Sequence, residues 1–85
     1  GGAEGRPGRG GTLKLLKTGD IARHFRITPQ MVHVYATMGL IRERKRTRAG
    51  YRLYGEETLK RLGVVRGMNR RGYTLREIAR ILFRT

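Results

Sequence analysis

Two short apolar-patterned segments, separated by only a few residues, constrain the fold of this chain more than any other feature. In the first segment, Ile21 and Phe25 fall on one face of a helix. Thr28 then places a capping hydroxyl directly before Pro29, a residue type that suits the first position of a helix. The second helix is expected to run from 29 to about 38. The sequence therefore predicts two crossed helices joined by a tight turn, a helix-turn-helix.

The ends of these two helices are marked by residues with strong local preferences. Thr18 is expected to be the N-cap of the first helix, and Gly39 is expected to end the second. Arg26 occupies the turn position that is usually glycine because the backbone there needs a positive φ, at a cost of about 1 kcal/mol. On the second helix, Val32 and Tyr35 are expected to point inward, which leaves the opposite face free to bind a partner.

Alternating and aromatic residues beyond the second helix predict a β-hairpin. Its strands are expected at 40–45 and 51–54, around the glycine-containing loop 46–50. Tyr54 is expected to be a core ring rather than a phosphate donor. A further short extended segment is expected within 12–17. The hairpin is unusually basic, and we interpret it as a wing that needs a counterion.

Two more helices complete the folded part of the chain. One is expected from about 56 to 71, and the four-residue spacing of Gly63 and Gly67 suggests that another element packs tightly there. Residues 74–77 have the Thr-x-x-Glu pattern of a capping box, which opens the last helix. The sequence thus predicts a mainly α fold, a winged helix-turn-helix of about four helices plus a small β-hairpin wing.

The charge of the chain indicates a polyanionic partner. The 85 residues carry 20 basic and 6 acidic side chains, for a net charge of +14, and residues 12–85 keep 18 of the basic and 5 of the acidic ones. Residues 1–11 are rich in glycine and arginine, and we expect them to be a disordered arm or the remnant of a tag. No cysteine is present, which excludes disulfides and thiolate chemistry, and no apolar run approaches the ~18–20 residues that cross a bilayer.

Three motifs in their observed order point to a known family. They are Gly39-Leu40-Ile41, then Arg44 with Gly50-Tyr51-Arg52-Leu53-Tyr54, then Gly72-Tyr73-Thr74-Leu75-Arg76-Glu77-Ile78. From about Leu15 to Leu82 the chain resembles the N-terminal winged-helix domain of the MerR family of bacterial transcription regulators. The run His33-Val34-Tyr35-Ala36 departs from the family pattern, in which an arginine and a further aromatic residue usually stand.

The resemblance implies a DNA-binding surface built from three parts. The second helix would lie in the major groove and present side chains to base edges. Its candidate contacts are Thr28, Gln30, Met31, His33 and Val34. The hairpin would hold phosphates through Arg44, Arg46, Arg48, Tyr51 and Arg52. A second wing, formed by the last two helices, would add Arg66, Arg70, Arg71 and Thr74.

We expect double-stranded DNA, a promoter or operator half-site, to be the partner, with no cofactor and no metal. The family continues with a dimerisation helix and an effector domain, which these residues lack. The chain is therefore expected to be either an excised DNA-binding fragment or a divergent relative, with homodimerisation only in the full-length protein and RNA polymerase as a further candidate partner. Its expected location is the bacterial cytoplasm, at the nucleoid.

Two other kinds of binding module and one other class of protein are the alternatives. The chain could be a MerR-like protein-interaction adaptor of the chaperone-modulating type, or a basic RNA-binding module. The basic wing argues against the adaptor, and a helix that reads the major groove fits duplex DNA better than A-form RNA. An enzyme is the weakest alternative because the sequence holds no nucleophile elbow and no glycine-rich loop that joins a strand to a helix.

Overall fold

The computed structural model describes residues 14–83, so the predictions for residues 1–11 lie outside the described part. Within that part, four helices and three short strands form a winged helix-turn-helix, which confirms the predicted fold class. The elements are β1 (Leu15–Lys17), α1 (Thr18–Phe25), α2 (Pro29–Thr37), β2 (Lys45–Arg46), β3 (Arg52–Gly55), α3 (Glu57–Arg70) and α4 (Leu75–Phe83).

The sheet of the described chain is antiparallel, and β3 lies at its centre in the order β1-β3-β2. Leu16 faces Tyr54 in one ladder, and Arg46 faces Arg52 in the other. The predicted strand 40–45 was too long, because its apolar start belongs to the core instead of to the sheet. The predicted extended segment before α1 is present as β1, and it adds a third strand to the hairpin.

The helix-turn-helix has the predicted crossing and turn, with one correction at its start. Thr18 is already the first helical residue, so Lys17 is the N-cap of α1, and the carboxylate of Asp20 accepts from its amide at 2.9 Å. The cap shifted by one residue because Lys17 is held by its pairing in β1. Arg26 adopts φ 58° and ψ 45°, the left-handed conformation that the sequence predicted. The amide of Ile27 then closes the turn on α1.

One hydrophobic core joins the four helices with β1 and β3 of the described chain. Its buried members are Leu16, Ile21, Ala22, Val32, Tyr35, Leu40, Ile41, Tyr54, Leu62, Val65 and Ile78. Val32 and Tyr35 point inward as predicted, and Tyr54 is a core ring. The Tyr54 hydroxyl is buried and has no hydrogen-bond partner in the described chain, and burial raises its pKa.

The expectation for the glycines of α3 is wrong. A Cβ at Gly63 or Gly67 would meet no atom within 4 Å outside the neighbouring backbone of α3, so no other element of residues 14–83 packs tightly there. The capping box of α4 is confirmed: the Thr74 amide donates to the Glu77 carboxylate at 2.8 Å, and the Glu77 amide donates to the Thr74 hydroxyl at 3.0 Å. None of the described helices has the length and apolar character that crossing a bilayer requires.

Candidate nucleic-acid interface

Helix α2 presents a polar, solvent-facing side at its N-terminal half. The Thr28 hydroxyl accepts from the Met31 amide at 3.1 Å, which fixes the start of the helix. Because Val32 and Tyr35 are buried, the residues between them are turned outward. Of the predicted base contacts, Gln30, His33 and Val34 are exposed. Thr28 is also exposed, but its hydroxyl is used by the cap. Met31 is half-buried against the core.

A groove brings this end of α2 together with the wing. It encloses about 410 Å³. His33 and Pro29 line it from α2, and Arg46, Tyr51 and Arg52 line it from the wing. Tyr51 is 71% exposed, so its ring stands free at the rim. The predicted recognition helix and three of the predicted wing residues therefore share one concave, basic surface.

The start of α1 extends the same surface. A neighbouring depression of about 530 Å³ is lined by Lys17, Thr18 and Gly19 on one side and by the wing residues Tyr51 and Arg52 on the other. Sequence reasoning assigned no functional role to this end of α1. Its only sequence signal is that Lys17 and Thr18 precede a helix start, and the pairing of β1 with β3 brings them to the wing.

A single carboxylate joins two of the wing arginines. Glu43 lies 2.6 Å from Nε of Arg46 and 3.0 Å from Nε of Arg52. The hydrogen bond from Arg46, together with the charges of Arg46 and Arg52, holds the pKa of Glu43 below its ordinary value against the opposing effect of desolvation. Glu43 was not among the predicted site residues, although it is the one acid between Arg42 and Arg52 and stands three residues before Arg46.

From Arg52 the contacts continue to the recognition helix. Nη1 of Arg52 lies 3.3 Å from Nδ1 of His33. The side chain of Arg52 is 28% exposed, so its guanidinium is packed between the wing and α2 while it still borders the groove. This contact is the direct link between the predicted wing and the predicted reading helix.

The other two wing arginines differ in their surroundings. Arg44 forms an ion pair of 3.0 Å with Glu57 at the start of α3. The backbone amide at that helix start and the Arg44 guanidinium hold the pKa of Glu57 below its ordinary value. Arg48 is exposed in the wing loop and forms no ion pair within residues 14–83. Arg48 is thus the wing guanidinium most accessible to an external phosphate.

The predicted second wing divides into two groups. Arg70 and Arg71 are exposed at the end of α3, as a phosphate contact requires. Arg66 instead donates to the Tyr35 hydroxyl at 3.2 Å, and its guanidinium lies 5.7 Å from the centre of the Phe25 ring. Its surroundings fit a contact between helices better than a contact with phosphate. The hydroxyl and the amide of Thr74 are both used by the capping box.

The arrangement offers cationic donors and a helix face. No three histidine, aspartate or glutamate side chains of the described residues lie close enough together to hold a metal ion. What these residues can do chemically is to neutralise an extended polyanion and donate hydrogen bonds to its edges.

Comparisons with known proteins identify the family of the chain. Residues 16–84 match the family model described as MerR HTH family regulatory protein. The chain is 35% identical over 67 residues to the mercuric resistance operon regulatory protein of Bacillus cereus, an alignment that covers 79% of this chain and 51% of that protein. The chain spans about half the length of the curated relatives it matches.

Solved structures share the fold. A MerR-family transcriptional regulator from Bacillus cereus superposes with a TM-score of 0.72 at 23% identity, over 81% of this chain and 52% of that chain. HiNmlR, a MerR family regulator that lacks the sensor domain and was crystallised bound to promoter DNA, gives a TM-score of 0.71 at 22% identity, over 80% and 54% respectively.

Proposed function

Because the chain belongs to the MerR family of helix-turn-helix regulatory proteins, we propose that it is the domain of a transcriptional regulator that binds duplex DNA at a promoter half-site. The single observation that carries this proposal is the groove in which His33 of α2 meets Arg46, Tyr51 and Arg52 of the wing. A reading helix beside a phosphate-binding hairpin is the arrangement that sequence-specific DNA binding needs.

In this proposal α2 enters the major groove and the wing follows the adjacent backbone. Gln30, His33 and Val34 are the exposed side chains that reach base edges, where glutamine pairs with adenine and valine contacts a thymine methyl. Arg46, Arg48, Tyr51 and Arg52 contact phosphates and fix the register without reading sequence. Arg70 and Arg71 extend the phosphate contacts beyond the wing.

The whole protein is proposed to act by binding and not by catalysis. It would bind palindromic promoters as a homodimer, together with RNA polymerase, at the bacterial nucleoid in the cytoplasm. The half-site domain by itself then binds weakly, because each copy contributes only one set of contacts. No cofactor is needed for this step, since every proposed contact comes from a side chain.

A titration followed by amide NMR tests the proposal. With a duplex carrying a promoter-like palindrome, we expect shifts at Gln30, His33 and the wing loop 46–52, and weaker binding as salt rises. Structured RNA and an acidic protein serve as competitors at equal charge. Shifts confined to the face opposite α2, or preferential binding of either competitor, would contradict the proposal and favour an RNA-binding or adaptor role.

A further inference from the structure

Glu43 is an acidic residue in an otherwise basic segment of the chain, and it contacts two arginines there. It lies in the segment between the core residue Ile41 and β2, within a wing whose other charged residues are all basic. Both of its carboxylate oxygens accept hydrogen bonds from Arg46: Oε2 from Nε at 2.6 Å and Oε1 from Nη2 at 3.4 Å. Oε1 also lies 3.0 Å from Nε of Arg52 in an ion pair. One anion thus holds two cations that line the groove.

The two guanidinium groups keep donors free for other partners. Nε of Arg46 donates to Glu43, and Nε of Arg52 lies 3.0 Å from the same carboxylate, so Glu43 holds both guanidinium groups in place. The remaining nitrogens of Arg52 include Nη1, which meets Nδ1 of His33 at 3.3 Å. Because Glu43 carries one charge and the pair carries two, this part of the groove stays cationic and still attracts an anion.

The contact between Arg52 and His33 determines which nitrogen of the imidazole carries the proton. A guanidinium can only donate hydrogen bonds, so Nδ1 of His33 must be the acceptor. The neutral ring then carries its proton on Nε2. His33 is 19 residues from Arg52 in sequence, so only the folded wing imposes this choice.

We propose that Glu43 is a positioning residue that acts through Arg52 to present His33 on the recognition helix as an Nε2–H donor. A fixed donor selects a base edge that offers acceptors, and guanine presents two adjacent ones, N7 and O6, in the major groove. The inference rests on the proposed function, and it assigns to α2 a preference for guanine at one position of the half-site. Glu43 itself contacts no DNA in this scheme.

The positioning step is testable without DNA. At pH about 8, where imidazole is mostly neutral, ¹⁵N-resolved NMR of the histidine side chains distinguishes the Nδ1–H and Nε2–H tautomers. We expect His33 to be a single Nε2–H species in the wild-type chain and a tautomer mixture in Glu43→Gln. His24, which packs its ring edge against Phe25, is the internal reference. A His33 spectrum that is unchanged in Glu43→Gln would overturn the inference.

The control variant is Glu56→Gln, which removes the same charge outside the wing. Glu56 is exposed before α3 and forms no ion pair in the described part of the chain. It must leave the His33 tautomer as in the wild type. Glu43→Asp, which keeps a shorter carboxylate, should restore part of the single-tautomer signal.

The specificity step is tested by selection from a library of randomised duplexes. We expect the wild-type domain to prefer guanine at one position roughly fivefold, as a single hydrogen bond provides. That preference should be lost in both His33→Ala and Glu43→Gln and kept in Glu56→Gln. A Glu43→Gln variant that keeps the full preference would overturn the inference while the proposed function stands. A wild-type domain that enriches no sequence at all would contradict the proposed function and this inference together.

Discussion

Nη1 of Arg66 donates a hydrogen bond of 3.2 Å to the hydroxyl of Tyr35, and this contact ties α3 to the end of the recognition helix. The guanidinium also lies over the ring of Phe25, the last residue of α1. A single side chain therefore touches both helices of the helix-turn-helix. Any change that frees Arg66 should loosen the angle at which α2 is presented.

The first prediction concerns the two fully buried tyrosines, which differ in the use of their hydroxyl groups. Tyr35→Phe should lower the free energy of unfolding by about 1 kcal/mol, because Arg66 loses its acceptor. Tyr54→Phe should be neutral or stabilising, because the Tyr54 hydroxyl is buried without a partner in the described chain. Urea unfolding of the two variants beside the wild type measures both effects. Equal losses in the two variants would contradict the assignment of these contacts.

The second prediction concerns the strained turn between α1 and α2. Arg26 adopts φ 58°, where a residue with a Cβ carries a cost that glycine avoids. Arg26→Gly should therefore raise the free energy of unfolding by about 1 kcal/mol, or the thermal midpoint by roughly 4–8 °C for a domain of this size. Calorimetry gives the midpoint.

Gly39 provides the opposite change for comparison. It has φ 79° at the end of α2, and a Cβ there would meet no atom within 4 Å. Gly39→Ala should therefore destabilise the domain by about 1–2 kcal/mol through backbone strain alone. If Arg26→Gly lowered the midpoint, the side chain of Arg26 would have to make a stabilising contact that outweighs its backbone strain.

The turn and the caps were predictable because their causes are local. Positive φ at Arg26 and Gly39, the Thr28 cap and the capping box of 74–77 each depend on residues within about four positions of one another. The same reasoning misplaced the start of α1 by one residue. Lys17 is held by a strand partner 36 residues away, Leu53, and no local preference contains that information.

The parts of the site that escaped prediction are those set by tertiary pairing. Arg66 was predicted to contact phosphate because the family resemblance places it in a second wing, and this stays a prediction; in the structure its guanidinium donates to the hydroxyl of Tyr35, 31 residues away in sequence. Glu43 was passed over because its two partners become neighbours only when β2 pairs with β3. The four-residue spacing of Gly63 and Gly67 in α3 led to a wrong prediction of close packing. Closely packed helices often have such a spacing, but the spacing by itself does not show that another element is packed there.

The third prediction is a dependence of stability on pH. Arg44 and the backbone amide at the start of α3 depress the folded-state pKa of Glu57, so the unfolded chain binds more protons than the folded one as the solution becomes acidic. The stabilisation is fully present above the unfolded pKa, about 4.3, and is lost as the pH falls through the lower folded pKa. Urea midpoints between pH 7 and 3 should fall less steeply in Glu57→Gln than in the wild type.

A neighbouring carboxylate supplies the control for this experiment. Glu56 stands one residue before Glu57, and no ion pair joins it to the residues that the structure describes. Glu56→Gln should therefore keep the acid dependence of the wild type. Parallel curves for Glu57→Gln and the wild type would show that the pair with Arg44 contributes nothing measurable to stability.

The fourth prediction concerns the salt dependence of DNA binding. The five arginines proposed to contact phosphates from the wing and the end of α3 correspond to a slope of about −4 to −5 in a plot of log K against log salt concentration. Arg48 is exposed and carries no ion pair within residues 14–83, so Arg48→Gln should make the slope less negative by about 1.

Arg46 and Arg52 already share the carboxylate of Glu43, so each should contribute less to the slope than Arg48 does. Fluorescence anisotropy of a labelled duplex over a series of salt concentrations measures Arg46→Gln, Arg48→Gln and Arg52→Gln, with Arg80→Gln on the exposed side of α4 as the charge-matched control. Equal changes in slope for Arg48→Gln and Arg80→Gln would mean that total charge, and not the wing, determines the affinity.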